Sequence, residues 1–208
     1  MKNKNPQILV VGISGSLREG SYTHLSIKLA LQGAKESGAN TRMLDLNEYQ
    51  LPFTMEEWSS PEHSPGVLRL REDVQAAQGI ILGTPEYHGS FSGVLKYALD
   101  LMGFDQFEGK MIGLIGVAGG KVGAANSLTS LRSVGRSLHA WVVPEQVSIS
   151  EAWSKFDSNG QLKDTELENS LKEVGRQVAR FASLHNSAHA QQFMSHWETA
   201  PDNPGGIR

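Results

Sequence analysis

The chain has 208 residues, 39% of them hydrophobic, and a formal net charge of −3, enough for one α/β core of about five strands with covering helices. Mild acidity without a basic run argues against nucleic acid as a partner, and zero cysteines exclude disulfides, thiol nucleophiles and iron–sulfur ligation, so redox chemistry would need a bound cofactor. No apolar stretch is long enough to span a membrane and the start, MKNKNPQ, leads into a strand instead of a signal-peptide core, which makes the cytoplasm the expected location.

In chain order, an opening strand near 7–13 (QILVVGI) ends in SGSLREGSYTHLS before a helix near 23–37. That loop is rich in anion donors. Ser14, Ser16, Ser21 and Thr23 supply hydroxyls, Arg18 a planar fork, and the helix start adds unpaired N–H groups and a favourable dipole. The set suits the terminal phosphate of a mononucleotide, whereas a dinucleotide pyrophosphate wants close backbone approach and few side chains. The loop lacks both G-x-G-x-x-G and the Gly-Lys-Ser/Thr ending of a triphosphate loop. Its Gly12-Ile13-Ser14-Gly15-Ser16 misses G-x-S-x-G because Ser16 replaces the last glycine, which would crowd a nucleophile elbow.

A strand near Thr41–Leu46 follows, then an irregular stretch from Asn47 to Ser64 around Trp58, and a helix opened by Ser64-Pro65. The short run Ile80-Ile81-Leu82 reads as a strand covered on both faces and stopped by Pro85. The turn after it holds Gly89 and Gly93, where backbone can press against a flat ligand, and Gly93 opens a helix within 91–103. A strand from Met111 to Val117 ends in Ala118-Gly119-Gly120, a helix near 122–138 leads to a strand over Trp141–Ile149, and a long helix starts at Thr165, whose spacing to Glu168 fits a capping box. The polar tail ETAPDNPGGIR is expected to fray. One domain over 1–190 with a partly flexible extension over 191–208 is the expected organisation.

Alternation of strand and helix predicts a parallel, doubly wound α/β sheet, and a mononucleotide-type first loop favours the flavodoxin-like order 2-1-3-4-5. The ligand crevice then lies at the ends of the first and third strands, with the Gly119-Gly120 end alongside. A phosphate at one side and a flat ring at the other describe FMN.

GSLREGS and TPEYHGSFSGVLKYALD, in that order, resemble the phosphate and flavin loops of the NADPH-dependent FMN reductase family, and the similarity extends over nearly residues 7 to 150. By position, the resemblance implies that Ser14, Ser16, Leu17, Arg18, Ser21 and Thr23 hold the phosphate and ribityl chain. Pro85, Glu86, Tyr87, His88 and Gly89 would line the isoalloxazine, with Ala118, Gly119 and Gly120 closing the far side. His88 stands where the family usually has Asn, Ser92 where it has Pro, Thr23 where Asn is common, and Leu101 where Trp often follows the Asp.

The resemblance further implies hydride transfer from NADPH, or NADH, through bound FMN to a quinone, azo dye, free flavin or metal oxyanion, in ping-pong order on one shared face. No side chain is expected to act as a catalytic nucleophile, because the cofactor carries the hydride. It also implies a homodimer or homotetramer. An electron carrier and a flavin-binding protein without turnover are the competing classes, although a carrier would be expected to show a more acidic steering face. His185 and His189 lie one helical turn apart without an accompanying carboxylate and read as a solvated helix end. Trp58, Trp141, Trp153 and Trp197 each sit alone and read as core or interface residues.

Overall fold

The structure, a computed structural model, describes residues 7–52 and 64–198. Strand β1 (Leu9–Ser14) leads to helix α1 (Tyr22–Glu36), β2 (Asn40–Leu44) to a 3-10 turn (Leu46–Tyr49) and, beyond the undescribed segment, α2 (Pro65–Gln75). Next come β3 (Gly79–Tyr87), a two-residue strand β4 (Ser90–Phe91), α3 (Gly93–Asp100) and the short α4 (Phe104–Phe107). The chain continues through β5 (Met111–Val117), α5 (Ala125–Ser137), β6 (Trp141–Ile149), the single-turn α6 (Ala152–Lys155), α7 (Thr165–His185) and α8 (Ala188–Glu198).

The parallel strands lie in the order β2-β1-β3-β5-β6, and β4 folds back antiparallel on the end of β3. Counting parallel strands alone, this is the expected flavodoxin-like 2-1-3-4-5. Helices on both faces explain the continuous apolar runs. Ile81 packs with Ile27, Ala30, Val174 and Val178 of α1 and α7, while its neighbours Ile80 and Leu82 face Leu70, Val74, Leu95 and Leu99 of α2 and α3. All three are fully buried, and each side chain removed from water contributes about 1.5–3 kcal/mol. The helices α1 and α7 approach backbone to backbone, since a Cβ on Gly33 or Gly175 would strike the main chain of the other helix.

Three boundaries and one helix cap differ from those expected from sequence. Strand β2 stops at Leu44 because the Asp45 carboxylate accepts from Asn47 N at 2.9 Å and starts the 3-10 turn. Strand β3 runs through Pro85 to Tyr87. Gly83 O accepts from Gly15 N at 2.8 Å, so alternate residues Gly83 and Pro85 face β1, whose ladder ends at the Ser14–Gly83 pair; the missing N–H of Pro85 therefore costs no sheet bond. Helix α3 begins after Ser92, its N-cap, which narrows the 91–103 expectation. Finally, Asp164 caps α7 by accepting from Glu166 N and Leu167 N, so Thr165 is the first helical residue and no Thr165–Glu168 capping box forms. The expected 190/191 boundary falls inside α8, and Trp58 and the residues beyond Glu198, where fraying was expected, lie outside the described residues.

Candidate active site

All five parallel strands present their C-terminal ends to one edge, and the crevice opens where β1 and β3 send their loops to opposite faces. A cavity of about 680 Å³ lies there, lined by Ser16, Arg18, Ser21 and Thr23 after β1, Pro85, Glu86 and Tyr87 from β3, and Ala118 and Gly119 after β5. It is large enough for a whole cofactor-sized ligand.

The first loop divides its hydroxyls between structure and ligand. Ser14 is buried, and its Oγ accepts from Ser16 N at 3.3 Å, so it shapes the loop from beneath instead of lining the cavity. Ser21 caps α1 by accepting from His24 N at 3.1 Å, which leaves its O–H proton to donate. Arg18 is exposed and forms no ion pair among the described residues, so its charge is available to an anion. His24 adds no compensating charge: burial first, then Lys28, holds its imidazole below its ordinary range. Leu17 faces away, into a second groove of about 800 Å³ with Leu46, Leu51 and Val94.

Two carboxylates at the cavity wall are already engaged. The N-cap residue of α5 is Ala124, whose side chain cannot accept, and Glu86 supplies the missing acceptor from β3, taking Ser127 N at 3.2 Å. Glu86, expected to line the ring site, does line the cavity, and its half-buried carboxylate also holds the start of α5. Asp157 Oδ1 accepts from Asn159 N and Gln161 N, both at 2.8 Å.

His88 and Gly89 form the tip of the β3–β4 hairpin, with φ of 53° and 78°. Two left-handed residues in a two-residue loop make a type I′ turn, the type for which Asn-Gly is preferred. His88 thus occupies a position that favours Asn. Neither residue lines the cavity wall directly, but a Cβ at Gly89 would meet only Asn126 Nδ2, at 3.9 Å, so the turn offers open backbone. Gly120 is also off the wall, its carbonyl accepting from Glu151 N at 3.1 Å.

Three groups outside the expected site residues complete the site. Ser92 is buried; its Oγ donates to Gly15 O at 2.7 Å and accepts from Leu95 N at 3.2 Å, while its N–H donates to Thr84 Oγ1 at 2.9 Å. It ties the first loop to the second. Gly15 must approach closely, since its Cβ would lie 2.6 Å from Ser92 Oγ. The third contribution is the segment after β6, where Trp153 and residues 157–160 form a wall. Its signal was available in principle, because every C-terminal strand end in a parallel sheet reaches the same edge. Trp153 is 64% exposed at the cavity and Trp141 63% exposed elsewhere, so neither is a core residue of this chain.

The donor set at one end, the open turn and the glycine loop at the other fit a mononucleotide bearing a flat ring. The model for the NADPH-dependent FMN reductase family matches residues 8–154. The chain belongs to that family. It is similar to an FMN-dependent NADPH-azoreductase of Staphylococcus aureus, with 34% identity over 82% of this chain and 93% of the relative. An NAD(P)H-dependent FMN reductase of Pseudomonas aeruginosa is 36% identical over 76% of this chain and 85% of its own. Among solved structures, the NAD(P)H:acceptor oxidoreductase FerB of Paracoccus denitrificans superposes with a TM-score of 0.64 at 24% identity, covering 86% of this chain and 98% of its own. An archaeal flavodoxin gives 0.59 at 12% identity over 84% and 99% of the two chains, which fixes the fold as flavodoxin-like. Family membership makes the chain an oxidoreductase of the FMN- and NAD(P)H-dependent kind. No described helix is long and apolar enough to cross a membrane.

Proposed function

We propose that the chain holds FMN across the ends of β1, β3 and β5 and catalyses hydride transfer from NADPH, or NADH, to a quinone, azo compound, free flavin or metal oxyanion, the two substrates taking turns in one cleft. The observation that carries this reading is that Arg18, which forms no ion pair among the described residues, and a hydroxyl-bearing helix start share one cavity with Pro85, Glu86 and Tyr87 of β3 and with Ala118 and Gly119 after β5. Arg18 and Ser21 would hold the phosphate, with Ser16 and Thr23 along the ribityl chain. The backbone N–H groups of the His88–Gly89 turn would face the carbonyl edge of the ring and stabilise negative charge developing there. When bound, FMN supplies the redox chemistry; the chain supplies position, charge and exclusion of water. A cytoplasmic location, one domain over 1–190 with an extension over 191–208, and a homodimer or homotetramer belong to the same reading, the last resting on the family resemblance.

The test is anaerobic mixing of the FMN-loaded protein with NADPH or NADH, followed at the flavin absorbance, and then steady-state rates with NADPH and a quinone varied together. Bleaching by a nicotinamide and parallel double-reciprocal lines are expected. Intersecting lines would refute the shared cleft, and no bleaching by either nicotinamide would move the chain to the electron carriers.

A further inference from the structure

The segment after β6 is built more rigidly than a connecting loop requires. Glu151 N donates to Gly120 O and Ala152 N to Ala118 O, both at 3.1 Å, which fastens α6 to the loop after β5. At its other end Phe156 is buried and stacks on Tyr22 of α1, ring centroids 4.9 Å apart. A tight turn, closed by Asp157 N to Gln161 O at 2.9 Å, follows at once. Ala152 and Phe156 are the buried anchors of this turn of helix, so folding makes no demand on the residue between them that carries an indole. Yet Trp153 stands 64% exposed and lines the cavity. Glu151, immediately before α6, is held left-handed at φ 45°, a conformation that costs a non-glycine residue free energy. A strained entry, two main-chain ties and a ring stack hold one large apolar side chain beside the cavity, where nothing in the described fold covers it.

The geometry points to Trp153 as a specificity-determining residue, an aromatic wall against which the flat ring of a substrate stacks. The inference rests on the proposed oxidoreductase reading and adds a substrate chemistry to it: planar aromatic systems are favoured over compact acceptors. Tyr87, 49% exposed on the β3 side of the same cavity, provides a second aromatic surface. Such a ring is offered by the adenine of the dinucleotide and by a quinone, azo or flavin acceptor, of which a quinone serves as the probe. An indole face binds either, because stacking depends on the π-surface and not on particular hydrogen bonds.

The experiment compares Trp153→Ala and Trp153→Phe with the natural FMN-loaded protein in three measurements. These are FMN affinity of the apoprotein by fluorescence titration, calorimetric binding of a redox-inert reduced NADP analogue, and KM for 1,4-naphthoquinone against KM for ferricyanide. Trp153→Ala should weaken the inert dinucleotide or raise the naphthoquinone KM about tenfold, within the range for one aromatic stack, and by clearly more than it changes FMN affinity or the ferricyanide KM. The arm that moves identifies which ring occupies the wall. Trp153→Phe should restore most of the loss. The inference is overturned if neither arm moves, if quinone and ferricyanide change together, if Phe is no better than Ala, or if only FMN affinity falls. Failure of the oxidoreductase reading is seen separately, as a natural protein that neither nicotinamide reduces; quenching of Trp153 emission by naphthoquinone and the dinucleotide titration then still decide whether the wall binds rings.

Discussion

Replacing Ser92 by Ala removes two hydrogen bonds at a position 2% exposed while leaving the backbone free to fold as before. One lost bond is the N-cap of α3, from Leu95 N at 3.2 Å, for which Ala substitution costs about 1 kcal/mol. The other is the 2.7 Å donation to Gly15 O; a buried carbonyl deprived of its donor costs about 1–3 kcal/mol more. Together they predict a loss of about 2–4 kcal/mol, a large share of the 5–15 kcal/mol that a domain commands. For a chain of this size that corresponds to a fall in Tm of roughly 5–15 °C. Urea titration of the apoprotein should show a lower midpoint with an unchanged m-value, since the surface exposed on unfolding stays the same. Ser92→Pro should be worse than Ala, because it also deletes the N–H that donates to Thr84 Oγ1 at 2.9 Å. A Ser92→Ala variant within about 0.5 kcal/mol of the natural protein would refute the tie between the two loops, as would a Pro variant more stable than the Ala one.

Arg18→Ala should weaken FMN binding by about 1.5–3 kcal/mol, the range for a charge-assisted hydrogen bond, and leave apoprotein stability unchanged because the guanidinium has no ion-pair partner among the described residues; equal FMN affinity in equilibrium titration would count against the phosphate assignment. His88→Asn should raise thermal stability by roughly 0.5 kcal/mol, a fraction of the 1–2 kcal/mol that a left-handed residue costs, and a lower Tm would contradict the type I′ turn. Burial pushes the Lys110 ammonium down to about 8, while Val74 O and Gln75 O accept from its Nζ at 2.6 and 2.7 Å. Because the folded value lies below the unfolded one, the unfolded chain holds the extra proton between about pH 8 and 10.5, so this group's contribution to stability rises with pH across that window. The stability difference between the natural protein and Lys110→Met should follow that rise, and a flat difference would refute it.

The strand order and the crevice were legible because they follow from properties that any reader of the chain can see. Apolar runs such as Ile80–Leu82 are buried on both faces, and the hydroxyls and glycines cluster after the first and third strands. What stayed hidden is the division of labour among polar groups of the same type. Ser14, Ser16, Ser21 and Ser92 look alike in sequence. In the fold Ser14 props the loop from below, Ser21 caps a helix while keeping its proton, and Ser92, the one that lies in the other loop, holds the two loops together. Glu86 is another instance, since its partner is the N-terminus of a helix 41 residues further on, a helix whose own first position is an alanine. Such roles depend on long-range register, which a local pattern does not encode.

The wall after β6 was missed for a different reason. Its residues carry no donor cluster and no glycine run, and a lone tryptophan in a chain with four is most often a packing residue. Only its surroundings give it meaning: neighbours Ala152 and Phe156 take up the burial that the indole would otherwise supply, and two hydrogen bonds to the Ala118–Gly120 carbonyls fix where it stands. In the proposed reading the first, third and fourth parallel strand ends hold the cofactor, and the segment after the fifth lies beside them. Three positions depart from the resembled motif or lie beyond it. His88 and Ser92 depart within the second loop, and Trp153 stands at the fifth strand end, where a change of one side chain alters the cleft without disturbing the sheet.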